Sequence, residues 1–182
     1  MLEITEVGHS SDPDDCMFAF SGGNAVSSLR LPPQEPWRRR ELITQLGQPL
    51  IEVPIGLWLG KPCYAVEVSP DRLDPIEHVT GNLFSLLGRV SDDVFAAFGR
   101  GIQMLSWRRD HQFCGRCSGE TEMTDGGRAL ACKACGHSCY PRLSPCVIVA
   151  VTKGEKLLLA AAQGRRAQFY STLAGFIEPG ET

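Results

Sequence analysis

Four cysteines spaced Cys114-x2-Cys117-x14-Cys132-x2-Cys135 constrain this chain more tightly than any other feature of its 182 residues. Each Cys-x2-Cys turn aims two thiolates at one point, and two such turns complete the tetrahedral sulfur shell that suits zinc. The segment carrying them is turn-rich and has little apolar core, so a metal is expected to supply its order. Gly115 and Gly136 sit beside ligands, where a tight knuckle favours small residues. His137 and Cys139 are rival donors, but neither improves on the paired-knuckle geometry. Four cysteines leave no open coordination position, so the expected zinc is structural rather than catalytic.

The other cysteines carry a weaker signal. Cys16, Cys63 and Cys146 lie in apolar settings and read as ordinary buried residues. The N-terminus, Met-Leu-Glu-Ile-Thr-Glu, lacks the cationic start and apolar stretch of an export signal. The cytoplasm is therefore the expected compartment, which favours metal over disulfides. No apolar run approaches the roughly 20 residues needed to span a bilayer. A formal net charge of −3 does not favour polyanion binding by bulk charge. Arg108, Arg109, Arg116, Arg128, Lys133 and Arg142 still flank the cysteines. Two readings of them stand open: contacts to phosphates, or a solvated basic face.

Local patterns predict an α+β chain. Residues 1–110 read as an irregular α+β domain ending in a helix, 111–140 as a zinc ribbon, and 141–182 as the start of a further domain. Residues 52–59 and 62–68 are strand candidates joined by a Gly60-Lys-Pro turn, hence a hairpin. Residues 32–40 read as a loop, because successive prolines remove backbone donors. Ser91 is a natural cap for a helix whose first turn holds Asp92 and Asp93. Val94, Phe95, Phe98, Ile102 and Leu105 then recur at helical spacing and predict a core-facing stripe. Gly99 and Gly101 imply either a local break or a close packing partner. Residues 146–152 and 156–161 predict two paired strands about a Lys153-Gly-Glu155 turn, and 171–174 a further short strand. These strands are expected to expose edges and apolar faces.

Three features occur in fixed order: the four-cysteine segment, Tyr140-Pro-Arg-Leu-Ser-Pro-Cys-Val-Ile148, and Leu173-Ala-Gly-Phe-Ile-Glu-Pro-Gly-Glu181. Gly175 and Glu181 have the G-x5-E spacing that opens the Nudix box, G-x5-E-x7-R-E-U-x-E-E-x-G-U, with U aliphatic. Together these features closely resemble the NADH pyrophosphatase branch of the Nudix hydrolases. The specific match covers residues 99–182, while residues 1–98 resemble the family's N-terminal domain only in size and position.

The resemblance implies that 141–182 contributes the first strands of a Nudix α/β/α sandwich. It implies hydrolysis of NADH or NAD to nicotinamide mononucleotide and AMP, and removal of NAD caps from RNA. Water is the implied nucleophile, activated by Mg²⁺ or Mn²⁺. The Ala174 carbonyl matches a metal ligand of the family, and Glu181 matches the first box glutamate, which supports the loop. Tyr140 and Phe176 match aromatics that sandwich the nicotinamide ring across a homodimer interface. Gly127 departs from the pattern where some members carry an acidic nucleotide contact. The R-E-U-x-E-E core is absent from these 182 residues, so the chain by itself is expected to be inactive. The alternative is a non-enzymatic zinc-ribbon module that binds RNA or a protein.

Overall fold

The computed structural model describes residues 1–29, 35–161 and 170–181. The chain separates into two compact units, Met1–Pro141 and Arg142–Thr182. As expected, the architecture is α+β.

Seven strands and one α-helix build the first half of the larger unit. They are β1 (Leu2–Glu3), β2 (Cys16–Ser21), β3 (Asn24–Ser28), β4 (Trp37–Arg38), α1 (Arg39–Leu46), β5 (Ile51–Trp58), β6 (Lys61–Glu67) and β7 (His78–Gly81). The strands form one mixed sheet in the order β1-β5-β6-β2-β3-β7, with β4 also on β2. The central β2–β6 pair is parallel, with Cys16 opposite Cys63 and Phe18 opposite Ala65. The predicted hairpin is present as β5 and β6, closed at Leu59 and Gly60.

Every residue of β2 is buried, because both faces of the sheet are covered. Side chains alternate between faces along a strand. Cys16, Phe18 and Phe20 accordingly join one apolar cluster, while Met17 and Ala19 join another. The second cluster contains Leu42 and Leu46 of α1. The first is closed by the helix over residues 92–110.

A bulge in β5 keeps its side chains on the right face. The register shifts between Pro54 and Gly56. Val53 before the shift, Ile55 within it and Trp58 after it therefore share the first cluster although their parity differs. Gly56 has φ +132°, and a Cβ there would overlap the Glu3 carbonyl oxygen. Only glycine meets both demands.

Two helices follow, α2 (Leu83–Leu86) and α3 (Asp92–Asp110). The Ser91 hydroxyl accepts from the Val94 N–H at 3.4 Å, as the cap predicted. The core-facing stripe is rotated from the predicted one. Val94, Phe98 and Leu105 are buried, but so are Ala97, Gly101, Met104 and Trp107, whereas Phe95 and Ile102 are only half-buried. The cause is Gly101. A Cβ there would lie 2.8 Å from the Phe20 ring and 3.1 Å from the Ala65 Cβ, so the helix touches the sheet at this point without breaking. The edge-to-face pairs Phe18–Phe98 (4.9 Å) and Phe20–Phe98 (5.6 Å) then form, each adding about 0.5–1.5 kcal/mol beyond burial.

The loop expected over 32–40 holds only in part. Residues 32–34 lie outside the described residues, but Trp37 and Arg38 pair with β2, and α1 begins at Arg39. Arg39 is buried because its guanidinium meets both oxygens of Glu52 at 2.8 Å and Asp15 at 3.4 Å. A run of arginines looks solvent-facing unless such partners are known.

The unit ends in an antiparallel ribbon, β8 (Thr121–Thr124), β9 (Ala129–Cys132) and β10 (Ser138–Cys139), in the order β10-β9-β8. Leu130 of β9 is fully buried in the first cluster, which anchors the ribbon to the sheet.

The smaller unit contains β11 (Cys146–Val149), β12 (Thr152–Lys153), β13 (Lys156–Leu157) and β14 (Leu173–Phe176). A turn at Gly154 and Glu155 joins β12 to β13, as predicted. The strand expected over 146–152 instead stops at Val149, and β11 pairs with β14, not with its sequence neighbour. The strand expected over 156–161 stops at Leu157; Ala160 makes only an isolated bridge to Ser171. Val147, Ile148, Leu158 and Leu159 are exposed, as the apolar-face expectation had it. Cys146 is exposed too, contrary to its expected burial, because β11 has only β14 beside it among the described residues.

Candidate functional site

Two short turns bring the four predicted thiols together. In the first, the Cys114 N–H donates to the Gly119 carbonyl and the Ser118 N–H to the Cys114 carbonyl, both at 2.8 Å. In the second, the Gly136 N–H donates to the Cys132 carbonyl and the Cys132 N–H to the His137 carbonyl, both at 2.9 Å. The Sγ atoms of Cys114, Cys117, Cys132 and Cys135 all lie within 4.8 Å of one another. Cys114–Cys135 is 3.8 Å and Cys117–Cys132 is 3.5 Å. Tetrahedral bonds of about 2.3 Å to zinc require sulfur separations of about 3.8 Å. The cluster therefore fits zinc in size, shape and donor type.

Gly136 has φ +69°, which favours glycine as expected, and a second glycine that the geometry requires is Gly119, which the spacing did not single out. A Cβ there would meet the Ala134 Cβ at 2.9 Å and the Cys132 Sγ at 3.0 Å. Gly115, by contrast, has open space around it. Neither His137 nor Cys139 joins the thiol cluster. His137 is exposed, and Cys139 packs partly against the first apolar cluster. Cys16 and Cys63 are buried, as expected.

The thiols do not ionise alike. N–H groups of Cys135 and Ala134 point at the Cys132 sulfur and hold its pKa down at about 7. The Gly119 N–H has the same effect on Cys117, but the crowding sulfurs of Cys135 and Cys132 outweigh it and push that thiol up to about 12. Four sulfurs at this spacing cannot all carry charge unless a cation lies among them.

Three of the six basic residues around the ribbon have acidic partners. Arg128 pairs with Glu6 and Asp125, Lys133 with Glu120 at 3.3 Å, and Arg109 approaches Asp110 at 3.9 Å. For these three residues this favours a solvated, charge-paired face over a phosphate-binding one. Gly127 is buried with φ +87°, and a Cβ there would overlap the Pro54 ring. An acidic side chain at this position has no room.

The box residues lie on β14 and the turn after it. Ala174 is in register with Ile148, and Gly175 with Val147. The Glu181 carboxylate accepts from the Glu178 N–H at 2.8 Å, while the Glu181 N–H donates to the Glu178 carbonyl at 3.1 Å. The two aromatics are solvent-facing: Tyr140 is 64% exposed and Phe176 is 71% exposed. Among the described residues no helix is long and apolar enough to cross a membrane.

Two family models match this sequence. One, described as the NADH pyrophosphatase-like rudimentary NUDIX domain, covers residues 15–107. The other, the NADH pyrophosphatase zinc ribbon domain, covers 109–140. The first match extends family likeness into the region whose resemblance had rested on size and position alone. Among similar curated proteins, the NAD-capped RNA hydrolase NudC of Stutzerimonas stutzeri (strain A1501) is 38% identical over 144 residues, covering 79% of this chain and 52% of the relative. The protein of the same name from Pseudomonas aeruginosa (strain LESB58) is 38% identical over 152 residues, covering 82% and 52%. That from Photorhabdus laumondii subsp. laumondii is 34% identical over 134 residues, covering 72% and 49%. The chain thus spans about half the length of the curated relatives it matches.

Proposed function

The chain belongs to the NADH pyrophosphatase family of Nudix hydrolases, and from that membership we propose that it serves a metal-dependent hydrolase of the NAD(H) pyrophosphate bond. The products are nicotinamide mononucleotide and AMP, and NAD-capped RNA 5′ ends are a second substrate class. The relatives named as NAD-capped RNA hydrolases support this assignment.

The residues divide by task. Cys114, Cys117, Cys132 and Cys135 hold a structural zinc that orders the ribbon. Tyr140 and Phe176 bracket the nicotinamide ring, a role that suits their exposure and that in the family requires a homodimer. The Ala174 carbonyl contributes to a Mg²⁺ or Mn²⁺ site, and Glu181 braces the loop through the Glu178 N–H. The bound divalent ion supplies charge neutralisation for the pyrophosphate and acidity for the attacking water. One observation carries the reading: a closed four-thiol centre and the Leu173–Glu181 strand and turn occur in one chain.

The test is an NADH, NAD and NAD-capped RNA hydrolysis assay with Mg²⁺ or Mn²⁺. A polypeptide bearing the whole box pattern is expected to release nicotinamide mononucleotide, and these 182 residues alone are not. Hydrolysis by the 182 residues would overturn the role given to the further box glutamates. Inactivity of the longer polypeptide on all three substrates would overturn the function itself.

A further inference from the structure

The β3–β7 end of the sheet is built from small residues. Ala25 pairs with Gly81 and Ser27 with Val79. Ala25 also lies opposite Phe20 of β2, so this is the face of the first apolar cluster, the one that α2 and α3 cover. Ala25, Ser27 and Gly81 fill little of the space under the helices. A cavity of about 330 Å³ remains there, within the Met1–Pro141 unit.

Its walls are held by specific contacts. Phe98 is 5% exposed and is gripped by the Phe18 and Phe20 rings. Leu86 and Val90 pack against the same cluster. The Asn82 side chain accepts from the Ser85 N–H at 2.8 Å, and the Ser85 hydroxyl donates to the Asn82 carbonyl at 2.7 Å. A Cβ on Gly81 would lie 2.6 Å from the Ser85 hydroxyl oxygen, so α2 sits directly against β7. The cavity is therefore preformed.

The charge of the lining is one-sided. Arg89 is the only charged residue in it among the described residues. The Arg89 N–H donates to the Leu86 carbonyl at 3.0 Å and fixes the residue beside α2. Arg89 is exposed and, among the described residues, has no carboxylate within salt-bridge distance. A carboxylate is the anion that matches a single planar guanidinium, through two parallel N–H···O bonds. A phosphate dianion would set a second charge against Val79, Leu86, Val90 and Phe98 with no second cation to meet it.

We propose that this cavity binds a small aromatic carboxylic acid, its ring against Leu86, Val90 and Phe98 and its carboxylate on Arg89. The volume is at the low end of the roughly 300–1,000 Å³ typical of small-ligand sites, which suits one ring and excludes a long acyl chain. A ring loses little internal freedom on binding and packs edge-on or offset against Phe98. Nothing in this assignment rests on the hydrolase reading, in which none of these residues has a part.

Phenylacetate, phenethylamine, dodecanoate and inorganic phosphate are titrated into the isotope-labelled, zinc-loaded 182-residue chain without Mg²⁺ or Mn²⁺. Phenylacetate is expected to saturate in the low-millimolar range or tighter and to shift the amides of Ser27, Thr80, Gly81 and Val90. Arg89→Gln is expected to weaken it about fivefold or more. Arg89 is exposed and lacks a carboxylate partner, so the variant should keep the fold, which its amide spectrum checks. Equal binding of phenethylamine, or undiminished phenylacetate binding by Arg89→Gln, overturns the carboxylate assignment. Tighter dodecanoate binding at the same amides overturns the size limit, and phosphate shifts there overturn the apolar body. Absent phenylacetate shifts at those four amides overturn the site, whatever the variant does.

Discussion

The sulfurs of Cys117 and Cys132 lie 3.5 Å apart although 15 positions separate the two residues in sequence. The turns that place them are closed by backbone hydrogen bonds. Little apolar packing reinforces those turns, since Cys117, Ala134, Cys135 and Gly136 are all exposed. A cation bonded to all four thiolates supplies the missing cohesion, and in small zinc domains that contribution is on the order of 10 kcal/mol.

The purified chain is therefore expected to carry one equivalent of zinc by elemental analysis. Cys132→Ser should lose it and, with it, amide-exchange protection across 109–140. Full protection in metal-free protein would show that the ribbon is ordered by packing alone.

Gly99 and Gly101 lie two positions apart on α3 and should respond oppositely to alanine. At Gly99 the nearest atom to a new Cβ is Leu83 Cδ2 at 3.9 Å, an ordinary contact. Better helix propensity should then raise stability by up to about 1 kcal/mol. At Gly101 the added methyl meets the buried Phe20 ring, and overpacking of this kind costs about 1–3 kcal/mol. Urea midpoints moving the same way for both variants would contradict the helix–sheet contact.

Arg39 and Glu52 form a two-pronged pair in a largely enclosed setting, with side chains 10% and 20% exposed. Breaking a buried pair from one side leaves the other charge stranded, at a cost of about 3–5 kcal/mol. Arg39→Met and Glu52→Gln should each approach that loss. The double variant should lose less than the sum of the two, and simple additivity in a denaturation cycle would mean that the pair is not coupled.

Stability should decline in alkali. Burial raises the Cys63 thiol well above its ordinary range, and burial followed by Asp15 and Glu52 raises Tyr64 to about 12. A thiol ionises at about 8.5 in the unfolded chain. Because the folded value is raised, its stabilising contribution is complete below that pH and is lost as pH climbs towards the folded value. Each such group lowers stability by about 1.4 kcal/mol per pH unit across its window. Between pH 8.5 and 10, Cys63→Ala should show a shallower decline than the parent despite starting less stable. An unchanged slope would place the alkaline loss elsewhere.

Local patterns made several elements legible. Ser91, Asp92 and Asp93 announced the start of α3, because capping and dipole interactions act within one turn. The Gly60 turn announced the β5–β6 hairpin for the same reason of short range. Helix α1 stayed hidden, since its first residue, Arg39, is buried by partners at Asp15 and Glu52. The predicted stripe on α3 drifted because hydrophobicity alone favours Phe95 over Gly101. Pairing of β11 with β14 reaches across 23 intervening positions, from Val149 to Leu173, beyond what adjacent apolar runs reveal.

The sequence by itself determined the metal-binding chemistry, the family motifs and the elements whose signals lie within a turn or a hairpin. Thiol spacing, caps and tight turns act over a few residues, so their physics is complete in a short window. Only the tertiary structure decided which strands pair, that both sheet faces are covered, and that Gly56 shifts the β5 register to keep Trp58 with Val53. It alone left Arg108 Nη1 buried and without a hydrogen-bond partner among the described residues. Those outcomes depend on which surfaces distant segments present to one another, and no local pattern encodes that.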